Sequence, residues 1–332
     1  MCTVTRTGSW TAGDVSVIIP VKEVTAYARE AAAEVHARFP ECEILLVTDH
    51  PAAEQLAGTT ILASWPDTAP GRKRDLAASV ATGKILAFLD DDAYPGTSWL
   101  SSALPHFDSD DVAAVGGPGV TPPSNDIRQR ASGWILASPL GSGGYTYRFR
   151  PGKRRDVDDF PSMNLLVRRA DYEAAGGFGS QFWPGEDTEL CRKLGAELGK
   201  RIVYEPGAVV YHHRRPVVAG HLRQQARYGL HRGHFARRFA GNSRRIAYGV
   251  PSLFTVGVVA GPLASMAYRP LLKLYLGVLG VYATAVALST AWVWHHDRDV
   301  RVAGLAAGGL VATHVTYGLA YLKGLCSRHL AH

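Results

Sequence analysis

Cysteine is scarce: Cys2, Cys42, Cys191 and Cys326 are the four in 332 residues, and no two stand in Cys-x-x-Cys spacing. That excludes a zinc ribbon and a disulfide scaffold, and the core is expected to face a reducing compartment. No Gly-x-Gly-x-x-Gly or Walker-type sequence follows any strand-like segment, so neither a dinucleotide site nor a P-loop is supported. Residues 1–13 lack an apolar run, so no cleavable signal peptide is expected before Asp14. Acid is missing from residues 214–245, which carry nine Arg and no Asp or Glu, although the whole chain has 36 Lys+Arg against 29 Asp+Glu. The net charge of +7 is therefore one block and not a generally basic surface. Nucleic acid is not the expected partner of that block, because aromatic interleaving is thin and an apolar region adjoins it. With 46% hydrophobic and 20% charged residues the chain can bury a core, which rules against disorder and fibrous repeats.

What the chain does have is long apolar runs. Residues 248–268, 274–294 and 302–322 contain no charged side chain, and each approaches the ~20 residues needed to cross hydrocarbon. They are expected to be three membrane helices, with Tyr268, Tyr275, Trp292, Trp294 and Tyr321 at headgroup level. Pro251 and Pro262 make the first the weakest, open to lying at the interface or breaking. The Arg block precedes the first run, so residues 1–245 are expected on the cytoplasmic side of the plasma membrane and the C-terminus outside it. The same block favours anionic membrane lipids.

The first 110 residues alternate patterns. Residues 15–20, 43–48 and 84–89 are continuous apolar strands, 60–63 is a weaker one, and 25–38 and 73–82 have helical spacing. Such alternation predicts an α/β fold with a mostly parallel sheet covered on both faces, binding ligands at the carboxyl ends of its strands. After residues 84–89 comes LDDDAYP. Three consecutive aspartates at a strand end repel one another and raise each other's pKa unless a cation offsets them, and Mg²⁺ or Mn²⁺ shared with phosphate suits that role.

SVIIPV at 16–21, LLVTD at 45–49, GRKRDLAASVATGKILAFLDDDAYP at 71–95 and FWPGEDTELCRKL at 182–194, in that order, resemble glycosyltransferase family 2. The resemblance covers residues 14–233 and implies the GT-A fold, a Rossmann-like nucleotide-diphospho-sugar transferase sheet at 14–213. An Arg-rich segment at 214–247 and the helical region 248–332 would follow it. It implies inverting transfer from a UDP- or GDP-sugar with Mg²⁺ or Mn²⁺. Matched residue by residue, Asp90 and Asp92 are the two aspartates of the Asp-x-Asp motif, with Asp91 in the variable place. Asp92 would ligate metal, and Asp90 metal or ribose. Asp49 matches the nucleotide-contacting aspartate, and Pro20 ends the first motif strand on the donor side. Lys73 and Arg74 either meet donor phosphate or form a solvated face.

In the second motif, Asp187 matches the general base, with Glu186 orienting it or the acceptor; a helix N-cap is the competing reading. Trp183 and Asn164 fall on the acceptor side, Asn164 alternatively satisfying a turn. His212, better placed than His213, matches a third metal ligand. QQARY at 224–228 resembles the Gln-x-x-Arg-aromatic motif of membrane polysaccharide synthases, so Arg227 either contacts diphosphate or belongs to a membrane-surface helix. The expected enzyme transfers a sugar to a hydroxyl of a lipid-linked or glycan acceptor. A polyprenyl-phosphate acceptor and a non-catalytic nucleotide-sugar-binding protein are the alternatives.

Overall fold

The structure, a computed structural model, describes residues 10–179, 184–238 and 245–327. The chain forms two compact units: Met1–Val120 with Arg150–His212, and Thr121–Phe149 with His213–His332.

In the first unit the opening strands are β1 (Val15–Pro20), β2 (Glu43–Thr48), β3 (Thr59–Ala63) and β4 (Ile85–Leu89). All six residues of β1 and all five of β4 are buried, as an unbroken apolar run requires, whereas β3 is half exposed and lies at the sheet edge. Between them, α1 (Ala26–Arg38) starts where Thr25 accepts the Ala28 N–H at 3.1 Å, and α2 (Pro70–Val80) starts with proline in its first turn. Then come β5 (Ala93–Pro95), α3 (Trp99–Ala103), β6 (Val112–Gly116) and β7 (Gly119–Val120).

The second unit opens with α4 (Ile127–Ala137), capped by Asp126 with Gln129 in a capping box, and α5 (Pro139–Ser142). The chain returns to the first unit for β8 (Arg155–Val157), β9 (Asn164–Arg168), α6 (Arg169–Ala174), α7 (Glu186–Arg192), β10 (Arg201–Tyr204) and β11 (Val210–His212). The large sheet has the order β3-β2-β1-β4-β9-β6-β10-β8, and a small one the order β5-β11-β7. β1 pairs parallel with β2 and β4, and β2 with β3, but β9 is antiparallel to both neighbours, so the sheet is mixed. Alternation along the strands sends Val17, Ile19 and Ala87 against Ala28, Ala31 and Val35 of α1, while Phe88 meets Tyr172 and Phe178 on the other face. The run 116–123, expected to be a loop, contains the end of β6 and all of β7; a two-residue strand formed only by distant pairing leaves no local periodicity to read. Residues 141–144 likewise complete α5 and begin a 3₁₀ turn.

The second unit continues with α8 (Ala219–Arg238), α9 (Ile246–Ala267), α10 (Pro270–Asp297) and α11 (Val300–Cys326). The last three are long and apolar enough to cross a membrane.

Candidate active site

The carboxyl ends of β1, β2 and β4 carry Pro20, Asp49 and Asp90, side by side because their strands are parallel neighbours. Helix α2 brings two cations to them. Lys73 is 2% exposed, donates to Val21 O at 2.5 Å and ion-pairs with Asp49. Arg74 Nη2 donates to Asp90 Oδ1 at 2.7 Å, its Nη1 donates to Glu186 Oε1 at 3.1 Å, and its guanidinium lies 5.3 Å from the Phe178 ring centroid. Both are buried, so the solvated-face reading of this pair does not hold. A buried ion needs a partner, and each has one.

Past Asp90, β5 turns back antiparallel to β11, setting His212 opposite Ala93. That register puts His212 Nε2 3.0 Å from Asp92 Oδ1. Asp90, Asp92 and His212 each offer a ligand atom within 4.8 Å of the others. Two carboxylate oxygens and one imidazole nitrogen suit Mn²⁺ or Mg²⁺. His213, the rejected neighbour, is buried against Asn125 in the second unit, with Nδ1 2.6 Å from Asn125 Nδ2. Asp91 is partly exposed between the two aspartates.

Glu186 and Asp187 occupy the first turn of α7, where carboxylates are favoured by the helix dipole. Glu186 is 6% exposed and its carboxyl is pushed up to about 7, chiefly by burial and then by the Asp187 charge, with Arg74 opposing. Asp187 is more open, and its Oδ1 accepts the Thr188 N–H at 2.8 Å. Arg74 thus ties the strand-end aspartates to the acidic helix start, a link between residues 112 apart in sequence. Asp75, missed in the sequence, holds the preceding turn: it accepts N–H groups of Phe178 at 2.9 Å and Gly179 at 3.2 Å and the Tyr172 hydroxyl. Its adjacency to Arg74 was the only local signal.

Asn164 starts β9, in the core of the sheet. It is fully buried, accepting Trp99 Nε1–H at 2.8 Å and donating to Ala208 O at 2.7 Å. Trp183 lies outside the described residues. Arg227 lies on α8 in the second unit.

Residues 16–175 match the family described as Glycosyl transferase family 2. The pre-mycofactocin glycosyltransferases of two strains of Mycobacterium tuberculosis are 28% identical over 224 residues, 65% of this chain and 46% of theirs. The chain spans about half the length of the curated relatives it matches. Among solved structures, mannosyltransferase PcManGT from Pyrobaculum calidifontis, in complex with GDP-Man and Mn²⁺, is similar with TM-score 0.58 and 18% identity, over 89% of this chain and 86% of that one. That likeness establishes a GT-A-like mixed α/β fold.

Proposed function

We propose that this chain, which carries a glycosyltransferase family 2 domain on a GT-A-like fold, transfers a sugar from a nucleotide-diphosphate sugar to a hydroxyl of a membrane-associated acceptor, with inversion. The observation that carries the reading is the cluster of Asp90, Asp92 and His212 joined through Arg74 to the Glu186–Asp187 helix start. The Mn²⁺ and GDP-Man in the complex of PcManGT support a divalent cation and a nucleotide-sugar donor.

Asp90, Asp92 and His212 would hold Mn²⁺ or Mg²⁺, which when bound supplies Lewis-acid stabilisation to the departing diphosphate. Asp49, ion-paired with Lys73, offers an acceptor to a donor group on base or ribose. Arg74, bonded to Asp90, would add positive charge where the negative charge of the leaving diphosphate develops. The acceptor oxygen forms a bond to the anomeric carbon, the bond to the diphosphate oxygen breaks with its electron pair, and the hydroxyl proton passes to Asp187. Glu186 and its ion pair with Arg74 set the orientation of that helix start. The uncharged runs and the nine-Arg block support a membrane attachment with the catalytic domain cytoplasmic.

One observation favours a polyprenyl-phosphate acceptor: Asp187 Oδ1 is engaged by the Thr188 N–H within the first turn of α7. A phosphate acceptor is already ionised and needs no base. The protein in lipid, given a panel of UDP- and GDP-sugars with Mn²⁺, is expected to release nucleoside diphosphate. Asp187→Asn should lower turnover at saturating donor by about 10²- to 10⁴-fold with nucleotide affinity retained. Turnover within a few-fold of wild type would remove the hydroxyl assignment and favour the lipid phosphate.

A further inference from the structure

Trp65 is 83% exposed, more than any other aromatic side chain among the described residues. Its indole N–H finds no acceptor and its ring meets no other ring among those residues. An indole left in water forgoes the burial that aromatic rings usually contribute and leaves a donor unused. Both faces are open to a ligand.

Its place in the sheet gives that exposure a meaning. Strands β1, β2 and β3 are parallel neighbours, and Thr48 stands opposite Ala63 where β2 and β3 end. One residue beyond that pair come Asp49 and Ser64, so Trp65 follows directly at the strand end beside Asp49. Hydrogen bonds tie the three ends together. The Asp49 N–H donates to Lys22 O at 2.9 Å, and the Ser64 N–H and hydroxyl donate to Thr48 O at 2.8 and 3.0 Å. Lys73 reaches Asp49 from the β1 side, where it also bonds Val21 O, and Trp65 stands on the β3 side. Adjacent strands are about 4.8 Å apart, so a base or ribose bonded to Asp49 lies next to the residues that leave β3.

The turn that carries the ring is fixed by its own sequence. In Trp65-Pro66-Asp67-Thr68, proline sets φ at the first central position, Asp67 has φ +54° at the second, and the Thr68 N–H donates to Trp65 O at 3.2 Å. That pattern matches a type II turn. The Thr68 hydroxyl donates to the same carbonyl at 2.6 Å, and Asp67 Oδ1 lies 3.5 Å from Lys22 Nζ, back at the end of β1. A non-glycine residue in the left-handed region is disfavoured, and here the turn bond and the lysine hold it there. Trp65 is therefore mounted on a bonded turn, and a ring held in advance loses little freedom when a ligand meets it.

We propose that Trp65 is a donor-binding residue whose indole stacks on the nucleobase of the nucleotide sugar while Asp49 takes an edge of the base or the ribose. Every nucleobase has a π-face, so the ring strengthens binding of the nucleoside part without choosing between uracil and guanine. The inference rests on the nucleotide-sugar reading above and adds to it the residue that grips the base.

Calorimetric titration of the full-length protein in detergent with Mn²⁺ tests it with three probes: UDP, GDP and inorganic pyrophosphate, which keeps the diphosphate and lacks base and ribose. Trp65→Ala is expected to weaken UDP and GDP by about 5- to 140-fold, the 1–3 kcal/mol of a base stacked on an aromatic side chain taken at 1.4 kcal/mol per tenfold. Pyrophosphate affinity should stay unchanged, and Trp65→Phe, which keeps a ring, should retain most of the nucleotide affinity. Because the side chain is exposed, the melting temperature should not move in either variant. UDP and GDP affinities unchanged in Trp65→Ala, or an equal loss for pyrophosphate, would overturn the proposal alone. Wild type that binds neither UDP nor GDP would overturn it together with the nucleotide-sugar reading.

Discussion

Arg74 is the residue on which the site turns, since its buried guanidinium bonds two carboxylates from distant parts of the chain, Asp90 and Glu186. Its partner Glu186 carries the clearest pH signature. The ordinary value of 4.5 is raised to about 7, so the folded state binds that proton more tightly than the unfolded chain. The resulting stabilisation is fully present below the unfolded value and is lost as pH rises through about 7, at up to ~1.4 kcal/mol per pH unit in that window. In metal-free protein, thermal melts of wild type should therefore fall relative to Glu186→Gln between pH 5 and 7.5; a gap that stays constant would show Glu186 titrating normally. Asp92 is tested through the cation. Asp92→Asn should weaken Mn²⁺ binding by at least the ~10- to 100-fold typical of lesser changes around a metal, and abolish the Mn²⁺ dependence of nucleotide binding, both read by calorimetry. Unchanged titrations would place the metal elsewhere. Asp90 and Asp92 were legible because three aspartates in a row at a strand end have few other uses. Asn164 was not, since its two partners, Trp99 and Ala208, are far away in sequence.

Among the elements, β1 and β2 have the bounds their apolar runs imply, residues 15–20 and 43–48, because strands buried on both faces leave a continuous signal. Helix α4 went unread even though Asp126 and Gln129 spell its capping box, for only its contacts with α8 and α11 explain why its apolar positions are buried. Helices α8 and α11 approach closely at Gly233, where a Cβ would stand 2.1 Å from Tyr321 O and an added side chain would strike backbone that cannot rotate away. Gly233→Val should destabilise by about 1–3 kcal/mol, as overpacking does, and lower the melting temperature in detergent. Gly249→Ala, with nothing within 4 Å of its Cβ position, supplies the comparison. Equal melting temperatures for the two variants would mean that α8 and α11 do not pack this closely.

For the whole molecule, the chain's division into units differs from a simple series of domains along the sequence. Residues 14–213 read as one catalytic domain followed by an anchor, but Thr121–Phe149 belong with His213–His332. A continuous sequence shows where apolar periodicity changes and not which later segment will cover an earlier helix, so this boundary was not readable from composition. The consequence is testable by truncation. In a fragment of residues 10–212, α4 keeps Ala131 and Ile135 but loses Val302, Ala303, Ala306 and Leu310, which cover them, along with Val217 and Val293. Arg130 loses Asp297 and Asp299 at 3.0 and 3.2 Å, and Trp134 loses its bond to Asp297 at 2.6 Å. Uncovering several apolar side chains at ~25 cal/mol per Å² while stranding polar partners gives a surface that associates. The fragment should elute as aggregate, or melt well below the full chain, and replacing residues 121–149 with a short Gly/Ser linker should restore a monodisperse species. If the unmodified fragment elutes as a monomer and melts cooperatively at the temperature of the full chain, α4 does not need the C-terminal helices, and the sequential division into catalytic domain and anchor is the correct one.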